Sequence, residues 1–438
     1  MSIDAAKPPI PEPRGAEAPF RPRAASSFAE AGLNASTIES LVLKLLLQVG
    51  ASSGRRVADE LGLTFGAFPN FLRNLKNSQL VTYANSAAAG DYEYELTDAG
   101  RARARTYLEE CGYLGTAPVP FDEYVRSVAE QGIAKERPQE SDLRRAFADL
   151  MISEEMFAAL GPAINSGRGM FLYGYPGNGK TSIAERITRC FGSTIWIPRV
   201  IDAGGQLIKL YDPANHEAVA SSHSGLWRDD TADGRWVEIR RPTLIAGGEL
   251  TMDDLEIHFD RDTKVSEAPL QMKSNNGTFL IDDFGRQRMS PLELLNRWIV
   301  PLEKRYDFLR LATGKKIRVP FDQLILFSTN LEPKHLVDEA FLRRIPYKIQ
   351  APDPSESTFR SMIVMFAPKL GFGAGEADDA AVEHLIERHY RQVDRPFRCC
   401  QPRDLLLQIR NYCVYNGLPL TLRPEYFDVA AANYFAVM

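Results

Sequence analysis

The apolar positions fall into distinct regimes along the chain. Residues 35–115 begin with helical spacing, Ile38, Leu41, Leu45 and Leu46 sharing one side of a predicted helix over Ser36–Val49. Shorter helices are predicted at Arg56–Leu61 and Phe65–Asn77. Two alternating runs follow, Leu80–Tyr83 and Tyr92–Leu96, joined by a small polar turn over Asn85–Asp91; they read as a hairpin. Thr97 is placed to cap one more helix, Asp98–Glu110. From Leu150 to about Ala351 short apolar runs alternate with helix-length segments, the pattern of α/β folds with a parallel sheet. The candidate strands are Met170–Tyr173, Thr194–Pro198, Thr278–Asp282, Leu324–Ser328 and Tyr347–Gln350. Between the second and third lies a stretch rich in β-formers, 200–276, read as an insertion. Residues 352–438 are mainly helical and predict a small lid, and 116–149 read as a linker. Residues 1–34, rich in Pro, Ala, Arg and Glu, predict a flexible tail, since so few large apolar side chains cannot offset the entropy of ordering.

Composition narrows the class. A chain of 438 residues holds two or three domains, and 44% hydrophobic with 25% charged residues is ordinary for a globular protein. A net charge of −5 supplies no overall basic field, so composition does not point to nucleic acid. The longest apolar streak, Leu41–Leu47, is interrupted by Lys44 and too short to span a bilayer, and the N-terminus has no apolar run of signal-peptide length. The five cysteines form no CxxC pair and no Cys/His cluster at zinc spacing. A cytoplasmic chain with reduced thiols and no membrane insertion is expected.

The chemistry is concentrated in a few segments. Gly174-Tyr-Pro176-Gly177-Asn178-Gly179-Lys180-Thr181 fits GxxxxGK[ST] and lies between an apolar strand and a helix opening at Ser182. Its glycines let backbone amides turn inward around phosphate oxygens, and the helix N-terminus adds its positive dipole end. Lys180 offers a point charge to the β- and γ-phosphates, and the Thr181 hydroxyl suits Mg²⁺. The strand TFLI (278–281) runs into Asp282 and Asp283. Such a strand is expected beside the phosphate-loop strand, with Asp282 holding Mg²⁺ and Asp283 orienting the attacking water.

The order of these segments, followed by LILFSTN (324–330), FLRRIP (341–346) and QPRDL (401–405), resembles an AAA+ ATPase over about two thirds of the chain. The resemblance implies ATP and Mg²⁺ as cofactors. It makes Asn330 the sensor that positions the hydrolytic water and Arg344 the arginine finger reaching a neighbouring subunit's γ-phosphate, with Arg343 as the alternative. Arg403 becomes the lid arginine that folds back on the nucleotide. A finger in trans requires an oligomer, and a ring, expected to be a hexamer, follows from it. Most members of the family end the acidic strand in Asp-Glu, whereas this chain has Asp282-Asp283; the shorter side chain raises the prospect of slow turnover.

Residues 311–320, with Gly314 at a turn and Lys315, Lys316 and Arg318 near it, resemble the hairpin inserted before the sensor strand in the branch that includes Clp-type unfoldases. The FLIDDFGRQR and FLRRIPYKI segments are similar to those of uncharacterised bacterial chaperone-like AAA ATPases. Tyr211 and its neighbours in QLIKLYD (206–212) are a candidate pore grip. The helix–helix–helix–hairpin–helix order and the LTDAGR segment of 35–115 resemble a winged helix-turn-helix domain. Its third helix carries little charge beyond Arg73 and Lys76, its hairpin holds Glu93 and Glu95, and its basic cluster is Arg101, Arg103 and Arg105. A DNA reader needs Lys and Arg for phosphates, so docking of a protein client or adaptor is favoured. The sequence therefore points to a ring-forming ATPase that remodels a protein client. A DNA-associated motor or regulator, and a slowly hydrolysing nucleotide-gated scaffold, stand as the alternatives.

Overall fold

The computed structural model describes residues 20–87, 90–219, 232–337, 339–373 and 379–436. Helix α1 (Ala35–Val49) opens at Asn34, whose side chain accepts the Thr37 N–H, and closes at Gly50. After β1 (Ser52–Ser53), Ser53 caps α2 (Gly54–Leu61), which stops at a left-handed Gly62. A 3₁₀ turn, Phe65–Ala67, then leads into α3 (Phe68–Asn77). Strands β2 (Val81–Ser86) and β3 (Tyr92–Leu96) pair as a hairpin, β1 adds to the free edge of β3, and Thr97 caps α4 (Asp98–Glu110). Ile38, Leu46, Leu61, Phe68, Leu72 and Leu96 meet in its core.

The tail expectation fails for residues 20–34. Ala31 and Leu33 are buried, and the Phe28 ring packs edge-on against Phe68 and Phe71 with centroids 5.1 and 5.4 Å away. Thr64 Oγ1 donates to the Ala25 carbonyl at 2.6 Å. Local composition could not foresee this, because the apolar surface that orders the segment belongs to α3. The first nineteen residues of that predicted tail lie outside the described residues.

The middle of the chain continues through β4 (Val119–Pro120), α5 (Phe121–Glu130), α6 (Glu140–Ala146) and α7 (Glu154–Ser166) to β5 (Met170–Tyr173) and α8 (Lys180–Thr188). Then come β6 (Thr194–Pro198), β7 (Val200–Asp202), β8 (Leu207–Lys209), β9 (Trp236–Arg240), β10 (Thr243–Ala246), β11 (His258–Asp260), β12 (Val265–Glu267) and α9 (Leu270–Lys273). Strand β13 (Thr278–Ile281) is followed by α10 (Pro291–Arg297), α11 (Ile299–Lys304), the hairpin β14 (Tyr306–Arg310) and β15 (Lys316–Pro320), β16 (Leu324–Thr329), α12 (Glu339–Arg344) and β17 (Tyr347–Gln350).

Five of these strands form an all-parallel sheet in the order β10-β13-β16-β5-β17. The predicted class, a phosphate-loop α/β fold on a parallel sheet with a helical C-terminal part, is what the structure has. Two details differ from expectation. Strand β6 does not join this sheet; it pairs antiparallel with β9, and the sheet takes β10, from within the supposed insertion, as its edge. The acidic strand β13 is not beside β5 either, because β16 lies between them. Apolar runs show that a strand is buried but not which strand is its neighbour. The remaining strands of 200–276 build a second sheet, β11-β12-β8-β7-β4, which recruits β4 from the predicted linker.

Both faces of the parallel sheet are covered, as parallel sheets require. Leu172, Leu280 and Leu326 face Leu160, Ile183 and Ile187 on one side. Phe171, Phe279 and Phe327 face Leu294 and Trp298 on the other. The C-terminal layer is α13 (Glu356–Lys369), α14 (Asp379–His389), α15 (Gln401–Asn416) and α16 (Pro424–Tyr434), packed around Phe359, Leu385, Leu405, Ile409 and Phe427. Among the described residues no helix is long and apolar enough to cross a membrane.

Candidate functional site

The loop after β5 turns on positive-φ glycines: Gly177 at +85° and Gly179 at +74°, the latter directly preceding α8. Side chains other than glycine rarely adopt this conformation. Lys180, the first residue of α8, is 7% exposed. Its amine donates to the carbonyls of Gly174 (2.9 Å) and Tyr175 (3.1 Å) and to Asn330 Oδ1 (2.7 Å). Burial lowers the pKa of this amine, and the carboxylates of Asp282 and Asp283 oppose the shift. Thr181 Oγ1 donates to Asp282 Oδ2 at 2.8 Å. Pro176 is exposed on the loop, and Ser182 occupies the first turn of α8.

The partners come from neighbouring strand ends. Just past β13 the Asp282 N–H still bonds to Ala246 of β10 at 2.9 Å. Asp283 then leaves the strand direction with φ +49°, its N–H donating to Asp282 Oδ1 at 3.0 Å. Asn330, one residue past β16, donates through Nδ2 to Asp283 Oδ1 at 3.1 Å. Its amide therefore links Lys180 to Asp283. The turn is braced by Gln287, whose Nε2 reaches the carbonyls of Asp282 (2.8 Å) and Asp283 (3.2 Å) while its Oε1 accepts the Gly285 N–H (2.8 Å). All of this lies at the C-terminal ends of parallel strands, where α/β sheets bind their ligands.

The C-terminal layer closes on the same loop through residues that sequence reasoning missed. Asn178 donates to Asp353 Oδ1 at 2.7 Å, and the Cys400 N–H donates to the Gly177 carbonyl at 2.8 Å. Arg398 pairs with Asp353, and its guanidinium lies 4.3 Å from the centre of the Tyr175 ring. Beside it, burial pushes the Cys399 thiol up to about 11. Arg403 behaves differently: it is 58% exposed and lies against its neighbour Asp404, with Nη2–Oδ1 3.2 Å. Nothing in FRCCQPR (397–403) distinguishes the two arginines before the fold is seen. Arg344 is also away from this cluster; its Nε donates to Glu303 of α11 at 2.6 Å, while Arg343 is exposed. Tyr211, the candidate grip, is half-buried with its ring stacked on His216 at 6.0 Å and Arg199 5.3 Å away. It is a packing residue.

The donor set fits the expected cofactors. Thr181 and Asp282 present two hard oxygens side by side, as Mg²⁺ prefers. The loop runs directly into the N-terminus of α8, and a Cβ built on Gly179 would meet nothing within 4 Å, so its surroundings are open.

Residues 355–433 match a family model described as a domain of unknown function, DUF8689. No curated protein matches. Among solved structures the chain is similar to NtrX from Brucella abortus in complex with ATP, at 15% identity over 65% of this chain and 56% of that one, with a TM-score of 0.39. It is also similar to the Thermotoga maritima RuvB Holliday junction branch migration motor, at 14% identity over 68% of this chain and 74% of that one, with a TM-score of 0.37. The chain thus spans little more than half the length of NtrX, and likenesses at these scores carry no weight for function.

Proposed function

We propose that the chain is an ATPase of the AAA+ type that binds Mg-ATP in the 174–182 loop and hydrolyses it within a ring of identical subunits. The observation that supports this most is the continuous hydrogen-bonded set Thr181–Asp282–Asp283–Asn330–Lys180, drawn from three parallel strand ends. Bound Mg-ATP supplies the phosphoanhydride bond to be cut and the cation that offsets charge on the β- and γ-phosphates. Lys180 exchanges its carbonyl and amide partners for phosphate oxygens. Thr181 and Asp282 hold the cation. Asp283, steered by Asn330, accepts a proton from the attacking water. Arg398 is better placed than Arg403 for the lid arginine, because it already rests on the loop. Arg344, or the exposed Arg343, is the finger offered to the adjoining subunit.

Remodelling of a protein client, recruited by a winged-helix-type domain over 35–115, is the favoured use of this activity. The DNA-directed alternative is the weaker, because the exposed side of α3, the helix that would enter a groove, offers only Arg73 and Lys76 as cations, and Arg103 is tied to Glu39 at 2.7 Å. Nucleotide binding by the full chain tests the core of the proposal. Lys180→Ala should abolish ATP binding, and an unchanged affinity defeats the assignment. Salt-dependent retention of duplex DNA by the wild type would move the choice of substrate to nucleic acid.

A further inference from the structure

The C-terminal layer holds a second cluster of ligating groups, far along the chain from the phosphate loop. Helix α14 carries His384 and ends on His389, and both rings turn toward α16. Nε2 of His384 and Nε2 of His389 lie 2.9 and 2.7 Å from one and the same oxygen, Asp428 Oδ1. The three ligand atoms all lie within 4.8 Å of one another, and all three residues are half-buried. The second carboxylate oxygen, Oδ2, is occupied by Arg388 Nη1 at 3.0 Å.

We propose that His384, His389 and Asp428 form a binding site for a zinc-like divalent transition metal ion. Two imidazole nitrogens and one carboxylate oxygen are the donor set of three-ligand zinc sites, which leave a fourth position for water. Imidazole donors select such an ion over Mg²⁺, so this site is chemically distinct from the oxygen pair Thr181–Asp282. The geometry is close to what the ion needs. Zn–N and Zn–O bonds of about 2.0–2.2 Å in a tetrahedron place ligand atoms about 3.3 Å apart. Each nitrogen need withdraw from Oδ1 by about half an ångström, and the two nitrogens, now within 4.8 Å of each other, settle at about 3.3 Å to admit the ion.

Without a metal, both rings donate an N–H to Oδ1. With it, each neutral ring binds through Nε2 and carries its proton on Nδ1, a tautomer shift within the ring. Arg388 serves as the outer partner: by engaging Oδ2 it fixes the carboxylate and leaves Oδ1 to the ion. Partial exposure, 19–31% for the three side chains, leaves the fourth position open to water. The bound ion would tie α14 to α16. Helix α16 also touches the loop contact through Tyr434, whose hydroxyl lies 3.6 Å from Cys400 Sγ.

The test uses the full chain, stripped with a chelator and titrated with Zn²⁺ by calorimetry, with Mg²⁺ as comparator. Saturable binding of one equivalent of Zn²⁺ and a raised Tm are expected, with no response at this site to Mg²⁺. His389→Ala and Asp428→Asn should each weaken Zn²⁺ binding about 10-fold or more. Because free thiols also bind zinc, the double variant Cys399→Ser/Cys400→Ser must keep the equivalent, and the Co²⁺-substituted protein must lack a thiolate charge-transfer band. Absence of saturable Zn²⁺ binding by the wild type overturns the proposal whatever the variants do. So does equal binding by folded His389→Ala and Asp428→Asn proteins, or loss of the equivalent with the two cysteines.

Discussion

Asp283 is where side-chain length and backbone conformation trade against each other. Aspartate is one of the few residues other than glycine that readily accepts a positive φ, and here φ +49° brings a short carboxylate to 3.1 Å from Asn330. The missing methylene is thus met by a backbone turn, which Gln287 pins through two carbonyls. Asp283→Asn keeps the size and removes the base, so ATP binding should persist while single-turnover hydrolysis falls about 10²–10⁴-fold. A variant that hydrolyses as fast as the wild type removes Asp283 from the chemistry. The two arginines near α15 give a second residue-level contrast. Arg398→Ala should weaken nucleotide binding about 10-fold, the scale of one lost hydrogen bond to a charged group, and Arg403→Ala should change it far less. Equilibrium binding of a fluorescent nucleotide reads the difference, and the reverse ranking restores Arg403. The phosphate loop was legible because eight positions, a strand and a helix all agree with one chemistry. Arg398 was not, since its role depends on Cys400 meeting Gly177 across more than two hundred residues.

At the level of elements, burial is written in the sequence and adjacency is not. LILFST and TFLI are mostly apolar and form two of the interior strands, β16 and β13, buried at every position. TLIA is as short as TFLI but leaves Ile245 46% exposed, as an edge strand can, so it did not stand out from the surrounding β-rich stretch. TIWIP looked as good a candidate, yet its hydrogen bonds go to β9 in a separate ribbon. What holds the central strands in place is the aromatic layer beneath them. Trp298, fully buried, lies 5.6 Å from Phe279 of β13, 6.4 Å from Phe327 of β16 and 5.7 Å from Phe321. Trp298→Ala leaves a cavity directly under the strands that carry Asp282 and Asn330. It should cost about 3–5 kcal/mol of stability, measured by denaturant unfolding, with hydrolysis declining because the strand ends lose their backing. A loss below 1 kcal/mol would mean the layer collapses around the gap.

For the whole molecule the question is whether a complete pocket needs two chains. Within one chain the cluster holds a lysine, two carboxylates and an amide, with Arg398 over the Tyr175 ring of the loop, while Arg344 is tied to Glu303 and Arg343 faces outward. A loose phosphoryl-transfer transition state spreads charge over the γ-oxygens, and a further guanidinium arriving from the next chain is worth several orders of magnitude in rate. Under the proposed mechanism, subunits carrying Asp283→Asn retain a finger and lack a base, and subunits carrying Arg344→Ala retain a base and lack a finger. Each preparation alone should be inactive. In an equal mixture assembled at random, about one quarter of the head-to-tail interfaces join an intact pocket to an intact finger, and activity should return to that fraction of the wild type. The same mixture made with Arg343→Ala decides between the two arginines, because only the true finger, when removed, gives an inactive parent that the Asp283→Asn subunits can rescue. Activity that stays at the sum of the two parents at every ratio, for both arginines, would mean that each pocket acts on its own and that no guanidinium crosses between chains.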